Sequence, residues 1–383
     1  MNQDNRAYYL DWIRIGVILL LVPFHSAITF ASRGDGFIRY PQSVPVMDTA
    51  LWFLSIWIMP VLFVVSGVAS YHALQHRTLK QYARERRRKL LMPLLAGMIL
   101  VCPPMSYMRA MFIGSFHGSF LQFYPCFFTG GLYPRGNLNW GHLWFLAYLY
   151  VFSLVLLPLF VRMTGERVRA GLVAASSILE KGLWTYLAVI PLMFTETVLR
   201  PFFPGFQNLV WDWANFTLYL VLFLYGFLLA INGRILDNIQ RIRIFSLLLG
   251  ILLLAAMAGL RTWGIGPVMN RMVPAYNVLM VFAWVFAVLG YARRFLNLQG
   301  RFYQYLNNAS FAIYIFHFLP ITIAAYFIAR SDFSVWLRCF IIIAIAYPSV
   351  FTLYEIVRRI PVLRFIFFAK AAPARISTVI AQH

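Results

Sequence analysis

Ten stretches of this chain are each apolar over roughly the length a helix needs to cross a bilayer, about 20 residues. They run 10–31, 51–74, 90–113, 142–162, 183–199, 216–231, 244–260, 274–291, 306–329 and 335–357. So many closely spaced runs leave little of the 383 residues for anything else. Inside a bilayer every backbone N–H and C=O must be satisfied by the protein itself, which helices do segment by segment. The expected fold class is therefore all-α, a polytopic integral membrane protein with about ten transmembrane helices. Composition agrees: 61% of residues are hydrophobic and 12% charged, with a mean hydropathy of +0.72. An ordinary soluble domain carries about 25% charged residues. A secreted disulfide scaffold, a disordered chain and a conventional soluble enzyme are thereby excluded. We expect a single transmembrane domain over 1–383, with 358–383 as a basic tail. The short polar start lacks a small-residue cleavage site, so the first helix is expected to be retained. The longest gap, 114–141, is aromatic and rich in Gly and Pro, a candidate to fold back into the membrane.

The few charges are lopsided: 33 Lys and Arg against 12 Asp and Glu, a net +21. In a soluble protein this would suggest nucleic acid. Here the cations fall in alternate loops. With the N-terminus placed in the cytoplasm, 23 lie on the inside and 7 on the outside, and Arg14, Arg109 and Arg338 fall within or at the ends of helices. Short inside loops rich in Lys and Arg are the usual topological signal. Both termini are expected to be cytoplasmic, and the partners of the surface cations to be anionic membrane lipids, with no nucleic acid.

Ionisable groups inside a spanning helix cost about 2.5–3.5 kcal/mol each on insertion scales, which makes them functional candidates. The first run holds Asp11, Arg14 and His25. At about 100° per residue, Arg14 and His25 differ by about 20° and Asp11 and Arg14 by about 60°, so all three share one stripe. Arg14 and His25 stand about 16 Å apart along the axis. Pro23 should kink this helix and free a carbonyl. Such a stripe suits an enzyme or transporter whose substrates approach from opposite faces. The plainer alternative is an Asp11–Arg14 ion pair at the helix entrance and a His25 bonded to a neighbouring helix. In the ninth run, Asn307, Ser310, Tyr314 and His317 fall within about 60° of one another. Their plainer alternative is a polar clasp between helices. Glu355 beside Arg358 and Arg359, and Glu196 four residues before Arg200, read as structural ion pairs.

The densest basic cluster holds Arg86, Arg87, Arg88 and Lys89. It reads as topological charge and lipid contact, or as a phosphate site, since guanidinium forks match phosphate oxygens. On the opposite side lie His142, Trp144, Trp211 and Asp212. Interfacial Trp is ordinarily a belt anchor, but aromatic faces with polar neighbours also suit a sugar. No nucleotide-binding P-loop, dinucleotide fingerprint, zinc-protease or serine-hydrolase motif occurs. The three cysteines, Cys102, Cys126 and Cys339, show no metal spacing. No metal and no tightly bound cofactor are expected.

The segment Tyr9-Leu-Asp-Trp-Ile-Arg14, followed by Pro23-Phe-His25, resembles the opening of the integral-membrane acyltransferase-3 family, whose signature is an Arg, ten residues, then a His. Phe63-Val-Val-Ser-Gly67, the basic-to-apolar boundary from Arg86 to Pro93, His142-Leu-Trp-Phe145 and Asn308-Ala-Ser310 with Ile313-Tyr-Ile-Phe-His317 extend the resemblance over nearly the whole chain. The tail from Leu353 to Phe365 resembles one branch, a group that succinylates osmoregulated periplasmic glucans.

The resemblance implies acyl transfer across a bacterial inner membrane, from a cytoplasmic acyl-CoA to a periplasmic sugar hydroxyl. Arg14, Arg86, Arg87, Arg88 and Lys89 would then meet the CoA phosphates. His25 would act as general base, helped by Asp11 and Arg14, with Tyr314 or His317 stabilising the oxyanion. An acyl-His25 intermediate is the mechanistic alternative. His142, Trp144, Trp211 and Asp212 would bind the glycan. Succinyl-CoA is favoured over acetyl-CoA as donor. A succinyl group needs a buried cation for its carboxylate, and Arg109, Arg200 and Arg338 are candidates. An O-acetyltransferase of another surface glycan, or a glycan transporter or flippase without acyl transfer, are the competing readings. Sequence leaves a homodimer open.

Overall fold

A computed structural model describes residues 7–32, 36–40, 43–129, 131, 136–205, 207–263, 267–328 and 330–368, without the side chains of 261–271. The first six residues, the far end of the basic tail (369–383), Arg33 and Arg135, for which the sequence raised expectations, lie outside the described residues.

Eight helices are long and apolar enough to cross a membrane. They are Tyr8–Ile28, Pro45–Leu74, Leu79–Phe112, Gly182–Leu199, Trp213–Ile231, Arg243–Leu260, Met272–Phe295 and Val335–Arg359. Two bent pairs, Gly141–Val155 with Leu157–Thr164 and Arg301–Phe316 with Phe318–Ile328, turn by 54° and 51° at their breaks. Counting each pair as one crossing gives the ten expected spans, taken below in chain order as first to tenth. The loops between the second and third, fourth and fifth, sixth and seventh, and eighth and ninth spans then share a face, and they carry the dense Lys and Arg clusters. We term it the basic face.

Proline accounts for the breaks. Pro158 and Pro320 open the second halves of the bent spans. A proline has no N–H to give the carbonyl four residues earlier, and its ring crowds it. At two further prolines a tyrosine hydroxyl takes over the orphaned carbonyl. Pro23 leaves Leu19 without its helical donor, and the Tyr347 hydroxyl donates to that oxygen at 2.9 Å, tying the tenth span to the first. Pro103 leaves Ile99 in the same state where the third span breaks at Val101, and the Tyr124 hydroxyl donates there at 3.1 Å. Tyr124 belongs to a short helix, Phe120–Phe128, started by a Ser119–Gln122 capping box. That helix runs back along Cys102–Phe112, with Phe116, Phe120 and Phe123 around the Tyr107 ring. The first half of the Gly- and aromatic-rich segment after the third span, up to Phe128, thus folds back on the bundle.

The closest helix crossing joins the second and sixth spans. A Cβ on Gly67 would lie 2.0 Å from the Phe223 carbonyl oxygen, and one on Gly226 would lie 2.0 Å from that of Val64. With no hydrophobic force between helices in lipid, such backbone approach at small residues is the main source of association. It also buries Phe63 against Tyr219, their rings stacked at 4.7 Å. Gly67→Val should therefore abolish monodisperse folded protein in detergent, or lower its melting temperature steeply. Gly16→Ala, where a Cβ meets nothing within 4 Å, should leave melting unchanged or slightly raised. Equal behaviour of the two variants would refute this account of the crossing.

Candidate active site

The first and ninth spans run in the same direction, side by side, and three polar contacts join them. Nearest the basic face, the Tyr303 hydroxyl donates to Asp11 Oδ2 at 2.5 Å. Arg14 Nη2 lies 2.9 Å from Asp11 Oδ1 and donates to Asn307 Oδ1 at 2.5 Å. Toward the opposite face, His25 Nδ1 and His317 Nε2 stand 3.0 Å apart. The plainer reading of Asp11 and Arg14 is thus realised as an ion pair at the helix entrance, with Arg14 still 39% exposed. Tyr303, one turn before Asn307 on the same face, is a member that the sequence reading missed. Extending the ninth run's polar stripe by four residues would have found it.

His317 caps the first half of the bent ninth span, where the helix breaks. Its Nδ1 lies 3.0 and 2.9 Å from the carbonyls of Ile313 and Tyr314. A carbonyl only accepts, so this nitrogen carries the hydrogen and Nε2 is left as an acceptor. His25 Nδ1 faces the Leu21 carbonyl at 3.0 Å as well as His317 Nε2. Both are acceptors, so His25 also carries its hydrogen on Nδ1. Its Nε2 then keeps a free lone pair. Unlike His317, His25 is only partly buried. Phe318 packs over its ring at 4.4 Å between centroids.

His142 was expected at the glycan-binding surface; it is buried in this same cluster, 4.9 Å from the His317 ring and 6.3 Å from that of His25. A reciprocal pair of bonds holds it. Its Nε2 donates to the Ile315 carbonyl at 2.9 Å, and its own carbonyl accepts from the Tyr314 hydroxyl at 2.6 Å. His142 Nδ1 is buried with no partner. Tyr314 thus spends its one proton on the turn that opens the fourth span, which makes it a positioning group. Among the described residues no three His, Cys, Asp or Glu side chains could hold a metal ion. Four of the six imidazole nitrogens face one another or carbonyls.

The other candidates sit apart. Asp212 is fully buried, and its carboxylate accepts from the Tyr148 hydroxyl at 2.5 Å, the Gln207 N–H at 3.0 Å and Asn215 Nδ2 at 3.0 and 3.2 Å. It pins the 207–212 loop, where Gln207 and Leu209 adopt positive φ, and offers no free oxygen to a sugar. Trp211 is 67% exposed, and Trp144 packs beside Tyr148 and Tyr219. In the basic cluster Arg86 lies 4.5 Å over the Tyr82 ring and 3.4 Å from Ser70 Oγ, with its Nε buried and unpartnered. Arg88 lies over Phe365, Lys89 pairs with Glu85, and Arg87 is exposed. Their charged groups go to different neighbours. The backbone of Arg87–Leu91 forms a π-helical turn, a rare element that recurs at functional sites. Of the three arginines considered for a carboxylate, Arg200 is taken by a two-pronged pair with Glu196 and Arg109 is also engaged. Arg338 is buried, and among the described residues it has no acidic partner.

A model of an acyltransferase domain matches residues 7–355 of this chain. Relatives called glucans biosynthesis protein C, from Escherichia coli O81 (strain ED1a) and Escherichia coli (strain K12), are each 27% identical to it, over 97% of this chain and 96% of their own length. No solved structure matches.

The contacts between the first and ninth spans predict energetic coupling. In a double-mutant cycle, Asp11→Asn and Tyr303→Phe should show a coupling of about 0.5–3 kcal/mol in unfolding from detergent. Strictly additive losses would mean that the contact carries no energy.

Proposed function

The chain belongs to this acyltransferase family, and on that footing we propose that it moves a succinyl group from acyl-CoA at the basic face to a glucan hydroxyl reaching His25 from the opposite face. The basic face is then cytoplasmic and the membrane is the bacterial inner membrane, in keeping with the abundance of Lys and Arg in the loops of one side. The observation that carries the reading is the His25 ring. Its Nδ1 is committed to Leu21 and His317, which leaves Nε2 as a lone pair on the one accessible histidine of the cluster.

A sugar hydroxyl is a poor nucleophile until a base takes its proton. Imidazole, with an ordinary pKa of about 6.5, suits that task near neutral pH. In the proposed step the hydroxyl oxygen attacks the thioester carbonyl carbon while its proton passes to His25 Nε2. The tetrahedral intermediate collapses, the C–S bond breaks, and the CoA thiolate takes the proton from His25. An ester and free CoA result. The His25 cation formed on the way shares its Nδ1–H with His317 Nε2, as the buried partner of a catalytic base does elsewhere. His317 and Tyr314 take positioning parts here, because their own protons are held by carbonyls.

Arg14 and the cluster Arg86, Arg87, Arg88 and Lys89 are proposed to meet the CoA phosphates. The exposed part of Arg14, the unpartnered Nε of Arg86 and the π-helical turn support this. Trp144 and Trp211 are proposed for the glycan, and Asp212 to hold the loop that carries Trp211. A glucan as acceptor extends to this chain what the names of its relatives say, while succinyl as the acyl group and the periplasm as its destination rest on the resemblance of the tail from Leu353 to Phe365.

Purified protein, given succinyl-CoA and glucan, should form a product carrying a succinyl ester by mass. His25→Ala should still fold, with a lowered melting temperature from the orphaned His317 Nε2, and lose about 100- to 10,000-fold in rate at a temperature where it stays folded. Normal transfer by that variant would refute His25 as base. Glycan transport without acyl transfer by the wild type would overturn the enzymatic reading.

A further inference from the structure

Arg338, in the first turns of the tenth span, is 6% exposed. Its guanidinium lies 4.4 Å over the Tyr40 ring, and Nη2 donates to the Ser331 carbonyl. Nε and Nη1 are buried, and among the described residues they have no partner. Among the described residues no carboxylate pairs with it, and Asp332, in the adjoining loop, is exposed. A guanidinium keeps its charge under all ordinary conditions, and a buried charge without a counter-charge is costly. Such an arrangement is stable when a ligand supplies the missing charge.

Its position links it to the histidine cluster. The first and tenth spans run in opposite directions and meet where Tyr347 bonds Leu19. Arg338 lies nine residues from Tyr347, and His25 six from Leu19, both away from the basic face. At 1.5 Å per residue Arg338 thus stands about 4–5 Å higher along the helix axes than His25. The loop beside Arg338 also reaches the histidine cluster. The Tyr40 N–H donates to the Thr29 carbonyl, one turn past His25, at 2.7 Å. Phe37 of the same loop packs 5.3 Å from Phe318, the ring that covers His25.

We propose that Arg338 forms an anion subsite beside the histidine cluster that binds a carboxylate of the reacting substrate. The carboxylate would accept hydrogen bonds from the guanidinium, with Tyr40 holding the group flat. The subsite rests on the acyl-transfer reading for its purpose, and on the orphaned guanidinium for its existence. Two sources have this chemistry: the far carboxylate of a dicarboxylic acyl group, or an acidic group on the acceptor.

Binding can be tested without any transfer. The full chain in detergent is melted with succinate and, separately, with its neutral analogue succinamide. Succinate should raise the melting temperature and succinamide should not. Arg338→Gln should remove the succinate shift, and Arg338→Lys should keep part of it. The lysine variant decides the matter if the glutamine variant does not fold. Equal shifts from the two ligands, or an undiminished succinate shift in both variants, would overturn the subsite. In the transfer assay, Arg338→Gln should cut kcat/KM for succinyl-CoA about 10- to 100-fold more than for acetyl-CoA if the carboxylate is the acyl group's. It should raise the acceptor KM equally with both donors if the carboxylate is the acceptor's. Equal loss with both donors and an unchanged acceptor KM would contradict the proposal. Absence of transfer by the wild type would fall on the acyl-transfer reading and leave the binding result to decide the subsite.

Discussion

The parallel packing of the first span against the ninth is the constraint on which the site depends. The partners are separated by 292, 293 and 292 residues along the chain, an almost constant register over about 20 Å of helix. Slip either helix by one residue and every polar side chain turns about 100° away from its partner. Buried polar groups without partners are costly in a bilayer, so the three contacts enforce one another. Asp11, Arg14, Tyr303 and Asn307 thus do more than close the basic end. They set the height and rotation at which His25 meets His317.

The rest of the bundle holds that pair in place. Pro320 breaks the ninth span just beyond His317, whose Nδ1 turns back to the carbonyls of Ile313 and Tyr314 in the half before the break. The fourth span opens on His142, clasped in both directions to Ile315 and Tyr314. The tenth span reaches the first through Tyr347, at the carbonyl that Pro23 frees. The carbonyls that Pro23 and Pro103 free are thereby points of attachment. A regular helix, with all its carbonyls used internally, would have nothing to offer these partners.

Much of this was legible in the sequence. The ten apolar runs match the eight helices and two bent pairs, because bilayer thickness imposes a length that composition alone reports. Arg14 and His25 stood out because two charged or polar groups on one apolar face are expensive. What could not be read was which helix they faced. That pairing joins residues nearly 300 positions apart, and no local periodicity encodes it. His142 was misread as a surface group because its neighbours are tryptophans at a helix start, the usual mark of the interface. Asp212 was read as a sugar contact from the same aromatic surroundings, since its partner Tyr148 lies 64 residues away. Gly67 was visible only as part of a motif. Its meaning, a backbone crossing at Gly226, needs both helices.

The central claim is that the site makes His25 Nε2 the free base by committing Nδ1 of both His25 and His317. Solid-state 15N NMR of histidine-labelled protein in lipid reads this directly, with His25→Asn and His317→Asn used to assign the signals. The account predicts a hydrogen on Nδ1 of both rings and a bare Nε2 on His25, whose Nδ1–H resonance shifts when His317 is replaced. A hydrogen on Nε2 of neutral His25, or an Nδ1 signal indifferent to the loss of His317, would contradict it.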